Sequence, residues 1–269
     1  FIDTSLNYRH QRSERAISRA LENWVREGGG ARDEVVLCTK AGYLVPDAIP
    51  VGKLSAGDVV GGMHCLHPAF LDDQLERSRR NLGLDTIDLM LIHSPQPWAA
   101  FRQGDHYFEG NLEAWRALEE AYAAGKVRAI GVSNFEQHDL ENILGSCSVA
   151  PHANQLLVHA GNTPSDLLAF CQEKSILVQA YSPIAHGEIL KNTEVQEMAA
   201  RYGVSVPQLC IRYTLQLGTV SLPKSANPEH MRANAQVDFV ISDADMDALR
   251  DLTARDYGKH SRFPVYSGK

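Results

Sequence analysis

Short runs rich in Val, Ile and Leu alternate along the chain with longer segments in which apolar residues recur at helical spacing. The runs cover residues 1–4, 34–40, 87–93, 127–134, 152–158, 177–183 and 219–225, and each reads as a strand. Helical periodicity occupies 13–27, 68–82, 112–124, 136–144 and 164–173. A doubled helical segment at 194–202 and 206–217 precedes the last run, and 228–235 and 243–253 follow it. Apolar strands separated by helices predict a parallel sheet covered by helices, because each crossover must return across a sheet face before the next strand begins. The alternation shows no break in composition, so a single domain over 1–269 is expected.

Two parallel architectures fit such a pattern. A doubly wound nucleotide fold announces itself with Gly-x-Gly-x-x-Gly after its first strand, and no such turn is present. Gly28-Gly29-Gly30 precedes a strand and reads as a helix stop and connection. The eight-stranded parallel (β/α) barrel, a TIM barrel, needs only repeated units of the observed kind and is the expected fold class. Two connections, 41–67 and 94–110, are long for that fold and leave the same ends of neighbouring strands, where barrel active sites lie. Trp98, Phe101, Tyr107 and Phe108 in the second offer an apolar wall for a substrate or simply pack the loop. The tail 254–269, with Ser261 to Tyr266 within it, is placed to fold over the mouth.

Charge and composition narrow the partners. With 33 acidic against 26 basic residues the net charge is −7, and no Lys/Arg-rich run invites nucleic acid or an anionic membrane. No apolar stretch approaches the roughly 18 residues that cross a bilayer. Five scattered cysteines without Cys-x-x-Cys suit a reducing, cytoplasmic compartment. His64, Cys65 and His67 lie within four residues but lack a partner pair at metal-ligand spacing, so no metal is expected.

The chemistry lies in the polar residues that end the strands. Asp3 closes the first run, Lys40 the second and His93 the third, so three parallel strands deliver a carboxylate, an ammonium and an imidazole to one rim. Tyr8 follows Asp3 by five residues. An ammonium beside a tyrosine stabilises the phenolate left after proton donation, and a carboxylate keeps that ammonium charged. An imidazole can polarise a carbonyl as the tyrosine protonates it. Taken singly, each of these is also a plausible solvated rim charge or packed histidine. What the residues alone do not supply is a hydride.

Asp3-Thr4-Ser5-Leu6-Asn7-Tyr8, Thr39-Lys40 and Leu91-Ile92-His93-Ser94-Pro95 resemble the aldo-keto reductases, whose Asp, Tyr, Lys and His stand in this order. Gly131-Val132-Ser133-Asn134-Phe135, Asn154-Gln155, Ala180-Tyr181-Ser182-Pro183 and Leu222-Pro223-Lys224-Ser225 with Asn234 are similar to further signatures of that family, spread over nearly the whole chain. The resemblance implies an NAD(P)H-dependent reductase of small aldehydes or ketones, with Asp3, Tyr8, Lys40 and His93 as its catalytic set. It implies that Ser133, Asn134 and Gln155 hold the nicotinamide carboxamide, that Tyr181 stacks on the ring, and that Ser182, Lys224, Ser225 and Asn234 complete the cofactor site. Ser133-Asn134 also suits a cap on the helix starting near 136. His230 stands where the family carries an arginine for the 2′-phosphate. An imidazole lacks that permanent charge and fork, so NADPH is expected as cofactor with NADH tolerated.

Two departures qualify the likeness. Leu156-Leu157-Val158-His159-Ala160 replaces the family's Glu and His-Pro segment, so the family's substrate-pocket shape does not carry over. The family's Asp-Thr run is its second strand, so the first strand and helix are expected to be missing from this sequence. That gap motivates an alternative, a catalytically silent nucleotide-binding regulatory subunit on the same scaffold. A barrel aldolase or isomerase using Lys40 as a Schiff-base amine is a third reading.

Overall fold

The computed structural model describes residues 1–45, 54–96 and 106–252. Trp98, Phe101 and the tail 254–269 lie outside the described residues, as do the centres of both long connections. Two compact units are present, 1–153 and 154–269.

The first unit contains β1 (Ile2–Asp3), α1 (Arg12–Arg26), β2 (Leu37–Ala41), α2 (Pro68–Leu82), β3 (Leu89–Ile92), α3 (Phe108–Ala123), β4 (Ile130–Ser133) and α4 (Gln137–Leu144). Its strands lie side by side in chain order and all pairs are parallel, as the apolar runs predict. Asp3 is in register with Cys38, Lys40 with Leu91 and Ile92 with Val132. Every residue of β2, β3 and β4 is buried, the signature of strands covered on both faces. Gly131 permits the β4 backbone to pass this closely: a Cβ there would lie 2.5 Å from the Ala153 carbonyl oxygen and 2.8 Å from Leu91 Cδ2.

Local sequence explains where these helices start and stop. Pro68 opens α2, where its missing N–H costs nothing, and the His67 ring accepts the Ala69 N–H at 3.2 Å. Gly83 closes α2 in the left-handed conformation, and α1 ends at Arg26, just before the three glycines. Helix α3 begins at Phe108, a turn earlier than the periodicity indicates.

The strands are shorter than the apolar runs because polar neighbours take their flanks. Residues 32–34 form a 3₁₀ turn instead of strand. Asp88 receives the Leu37 N–H at 2.9 Å and the Arg32 guanidinium at 2.6 Å, fixing the start of β2. A second buried carboxylate, Glu14 of α1, ties β2 to both flanking helices. It accepts from Thr39 Oγ1 and Ser78 Oγ at 2.7 Å each and from Asn81 Nδ2 at 2.8 Å. Burial outweighs these bonds and raises its pKa.

Strand β5 (Ala153–Leu157) begins on the last residue of the first unit, and the second carries the rest of it with α5 (Ser165–Glu173), β6 (Leu177–Tyr181), α6 (Thr193–Arg201), α7 (Val206–Gln216), β7 (Val220–Leu222), α8 (Pro228–Asn234) and α9 (Asp243–Arg250). β6 and β7 are parallel, with Tyr181 in register with Leu222. Asn192 caps α6 and Ser205 caps α7, with Gln208 reaching back in a capping box. The doubled helix expected before the last strand is thus two capped helices. They bury Val195, Met198, Leu209, Cys210 and Tyr213 against Ile241 and Leu249.

Candidate active site

Asp3, Lys40, His93 and Tyr8 converge in the first unit. Parallel pairing brings the C-terminal ends of β1, β2 and β3 together, which gathers the first three. Tyr8 arrives by a turn in which its N–H donates to the Ser5 carbonyl at 3.0 Å. Arg9, His10 and Gln11 then run left-handed into α1, at φ 52°, 53° and 66°. Consecutive left-handed residues other than glycine are strained and concentrate at functional sites; here they follow the tyrosine directly.

The Lys40 side chain is wholly buried. Its Nζ donates to Asp3 Oδ2 at 2.8 Å, Asp3 Oδ1 at 2.9 Å and the Thr4 carbonyl at 2.8 Å, and it stands 3.4 Å from Tyr8 Oη. Burial disfavours the ammonium, but Tyr8 and then Asp3 outweigh it and raise its pKa. Lys40 is therefore a held cation, which disfavours the Schiff-base reading because a charged amine is no nucleophile. Tyr8 is 38% exposed while its hydroxyl faces this cation, so the ring is open to a ligand on its other side.

His93 lies 5.8 Å from Tyr8, ring centroid to centroid, edge-on. Ser5 Oγ is 3.2 Å from its Nδ1 and Tyr43 packs edge-on at 4.9 Å. The Ser5 hydroxyl donates to Asn7 Oδ1 at 2.6 Å, which anchors it beside the ring. Burial, then the Lys40 charge, then His64 push the His93 pKa well below its ordinary value, so the ring is neutral.

Its neighbour His64 is also buried and donates through Nε2 to the Ser94 carbonyl at 3.2 Å. Burial lowers its pKa to about 4. Between pH 6.5 and 4 the unfolded chain takes up a proton that the folded His64 refuses, so stability is full above pH 6.5 and falls as pH drops to about 4. Urea titrations over this range are expected to show His64→Gln removing about 3 kcal/mol of this acid-induced loss. An unchanged pH slope in the variant would contradict the assignment.

Ser133 ends β4, and Asn134 follows in the left-handed conformation at φ 62°. Both are buried. Asn134 Nδ2 donates to the His93 carbonyl and to Ser133 Oγ, each at 3.1 Å. The cap on α4 is Glu136, so the alternative role for Ser133-Asn134 as helix cap is not what the chain uses.

In the second unit, Gln155 is buried on β5 and donates to Gln179 Oε1 at 2.8 Å. Tyr181 ends β6 half-buried, and Ser182 follows at φ 53° with its Oγ 3.3 Å from His186 Nε2. Lys224 is exposed just past β7. Ser225 Oγ accepts the Asn227 N–H at 3.1 Å, and the Asn227 side chain caps the seven-residue α8. His230 is exposed on that helix and Asn234 is its last residue.

Sequence reading missed Ser5, Tyr43 and Glu14. Ser5 was detectable, being two residues beyond Asp3, whereas Tyr43 reaches His93, and Glu14 braces Thr39 next to Lys40, only through contacts far apart in the chain. The metal-capable set at 63–68 has other work: His64 bonds Ser94, His67 caps α2 and Cys65 is buried. Among the described residues no helix is long and apolar enough to cross a membrane.

The profile of the "Aldo/keto reductase family" matches residues 1–254. An uncharacterized oxidoreductase of Bacillus subtilis, YtbE, is 38% identical over 179 residues, covering 66% of this chain; the chain spans 60% of that relative's length. The 9,11-endoperoxide prostaglandin H2 reductase of Trypanosoma cruzi is 40% identical over 255 residues, 93% of this chain and 77% of that protein. The solved structure of a silkworm (Bombyx mori) aldo-keto reductase complexed with NADPH has a TM-score of 0.74 at 27% identity, covering 94% of this chain and 74% of that one. With the Asp3, Tyr8, Lys40 and His93 cluster in place and the parallel (β/α) barrel as its fold class, this chain belongs to the aldo/keto reductase family.

Proposed function

We propose that the chain reduces the carbonyl of a small aldehyde or ketone, with Tyr8 as the proton donor. The observation that carries this is the buried Lys40 ammonium held between the Asp3 carboxylate and the Tyr8 hydroxyl, with Tyr8 open to solvent. The substrate oxygen rests between Tyr8 Oη and His93 Nε2. His93, neutral, donates a hydrogen bond to that oxygen and adds no competing charge. As negative charge grows on the oxygen, Tyr8 passes its proton, and Lys40 stabilises the phenolate that remains. Asp3 positions Lys40 by accepting two of its bonds.

NADPH, when bound, supplies the hydride. The donor set of the first unit fits a carboxamide: Ser133 and Asn134 are buried side chains offering a hydroxyl and an amide at the end of β4. In the second unit, Gln155 offers a buried amide on β5, and Tyr181 a flat ring of the kind that contributes dispersion against a nicotinamide face. Ser182, Lys224, Ser225, His230 and Asn234 are assigned to the remainder, with the Lys224 cation and Ser225 hydroxyl suited to a phosphate. Because His230 brings no permanent charge there, NADH is accepted with a smaller penalty than an arginine would impose. The free cysteines, mostly buried, fit a reducing cytoplasm.

The test is consumption of NADPH or NADH by the purified chain against a panel of aldehydes and ketones. Turnover with either nucleotide supports the reading. Tight nucleotide binding without turnover on any carbonyl supports the regulatory-subunit alternative instead.

A further inference from the structure

Three side chains with metal-binding atoms meet outside the cluster of Asp3, Tyr8, Lys40 and His93. His106 stands two residues ahead of α3, and His138 and Asp139 lie in the first turn of α4. One ligand atom from each falls within 4.8 Å of the other two. Asp139 is fully buried and half-anchored: its Oδ2 accepts the Glu136 N–H at 3.0 Å, while Oδ1 is buried without a hydrogen-bond partner. His138 turns Nε2 toward that oxygen at 3.5 Å, and this nitrogen is likewise buried without a hydrogen-bond partner. The His106 ring meets that of His138 edge-on at 4.4 Å and stacks on Phe108 at 4.9 Å.

Two buried polar atoms that face each other at 3.5 Å without a hydrogen bond recover little of their desolvation cost while the imidazole is neutral. Their separation is long for a hydrogen bond but natural for two ligands of one ion. Bonds of about 2.0–2.1 Å at tetrahedral angles hold neighbouring donors about 3.3–3.4 Å apart. We propose that His106, His138 and Asp139 bind one divalent transition-metal ion of the zinc class, leaving a fourth position for water. Two imidazoles and one carboxylate suit zinc, cobalt or nickel; calcium and magnesium take oxygen-rich shells. The positive end of α4 opposes a cation, and the Asp139 carboxylate offsets it, aided by Glu136, whose Oε2 lies 4.0 Å from His138 Nε2. The Glu136 N–H on Oδ2 fixes the carboxylate with Oδ1 aimed at the ion. Bound there, the ion ties the end of the long connection after β3 to the start of α4.

The site is independent of the reductase reading and is tested without turnover. The full chain, treated with a chelator, is titrated with Co2+ and followed by visible ligand-field absorption, then challenged with Zn2+. The expected result is a band that saturates at one equivalent and is displaced by Zn2+. His106→Ala, a surface change that leaves the fold intact by circular dichroism, is expected to weaken binding by at least about tenfold. Asp139→Asn, which retains an acceptor for the Glu136 N–H, is expected to do the same. Absence of a saturable band in the unmodified chain overturns the proposal. So does wild-type affinity in the His106→Ala/His138→Ala double variant, which would place the metal elsewhere, at the cysteines for instance.

Discussion

Replacing Tyr8 with phenylalanine is expected to lower kcat for carbonyl reduction by about 10²–10⁴-fold, the usual contribution of a positioned general acid. The effect falls on kcat because the proton moves only as the carbonyl carbon is reduced; the ring itself, and with it the edge-on contact to His93, is retained. Nucleotide affinity, measured by fluorescence titration, is expected to be unchanged, since no cofactor role is assigned to the phenol. Stability is expected to change little: Tyr8 is the most exposed member of the cluster, and its loss frees only one long contact to Lys40. Near-normal turnover in the variant would show that another group, or water, delivers the proton, and the role given to Lys40 would fall with it.

Lys40→Met is expected to reduce both activity and stability. The ammonium makes two bonds to Asp3 and one to the Thr4 carbonyl inside the fold, so its removal strands a carboxylate and a carbonyl. Breaking a buried pair from one side costs about 3–5 kcal/mol. The lower end is expected because 18% of the Asp3 side chain remains exposed and can be hydrated. Asp3→Asn combined with Lys40→Met removes the stranded charge and is expected to recover much of the stability without recovering turnover. Urea titrations of the two single variants and the double variant, run beside kcat measurements, separate the two roles. If the double variant regained activity together with stability, Lys40 would be a structural cation and not a stabiliser of the phenolate.

The elements of this protein were readable because they are written locally. Helix α2 was legible to the residue: Pro68 sets its start, Gly83 its stop, and apolar positions at helical spacing lie between. The strands were legible in position but not in length. The apolar run at 34–40 continues a pattern that Asp88, 51 residues from Leu37, cuts short by capturing the Leu37 N–H and the Arg32 guanidinium. Helix α3 starts at Phe108, ahead of the apolar periodicity, and the stacking of Phe108 on His106 there has no periodic signature.

The candidate site divides along the same line. That Asp3, Lys40 and His93 end three consecutive strands follows from the order of residues, and parallel pairing then forces them to one rim. Whether Lys40 is a solvated rim charge or a buried, ion-paired cation was undecidable from sequence, because desolvation depends on everything packed around it. So was the neutral state of His93, which burial and the nearby Lys40 charge set together. Glu14, bonded to Thr39 and to Ser78, the latter 64 residues further along the chain, and the meeting of His106 with His138 and Asp139 belong to the same class.

Sequence by itself determined the succession of strands and helices and which polar side chains the strands carry, since backbone periodicity and capping act over a few residues. The tertiary structure alone decided which of those side chains are stripped of water, which are paired, and which are left facing each other without a bond. Electrostatic energies grow as water is excluded, and exclusion is a property of the packed whole.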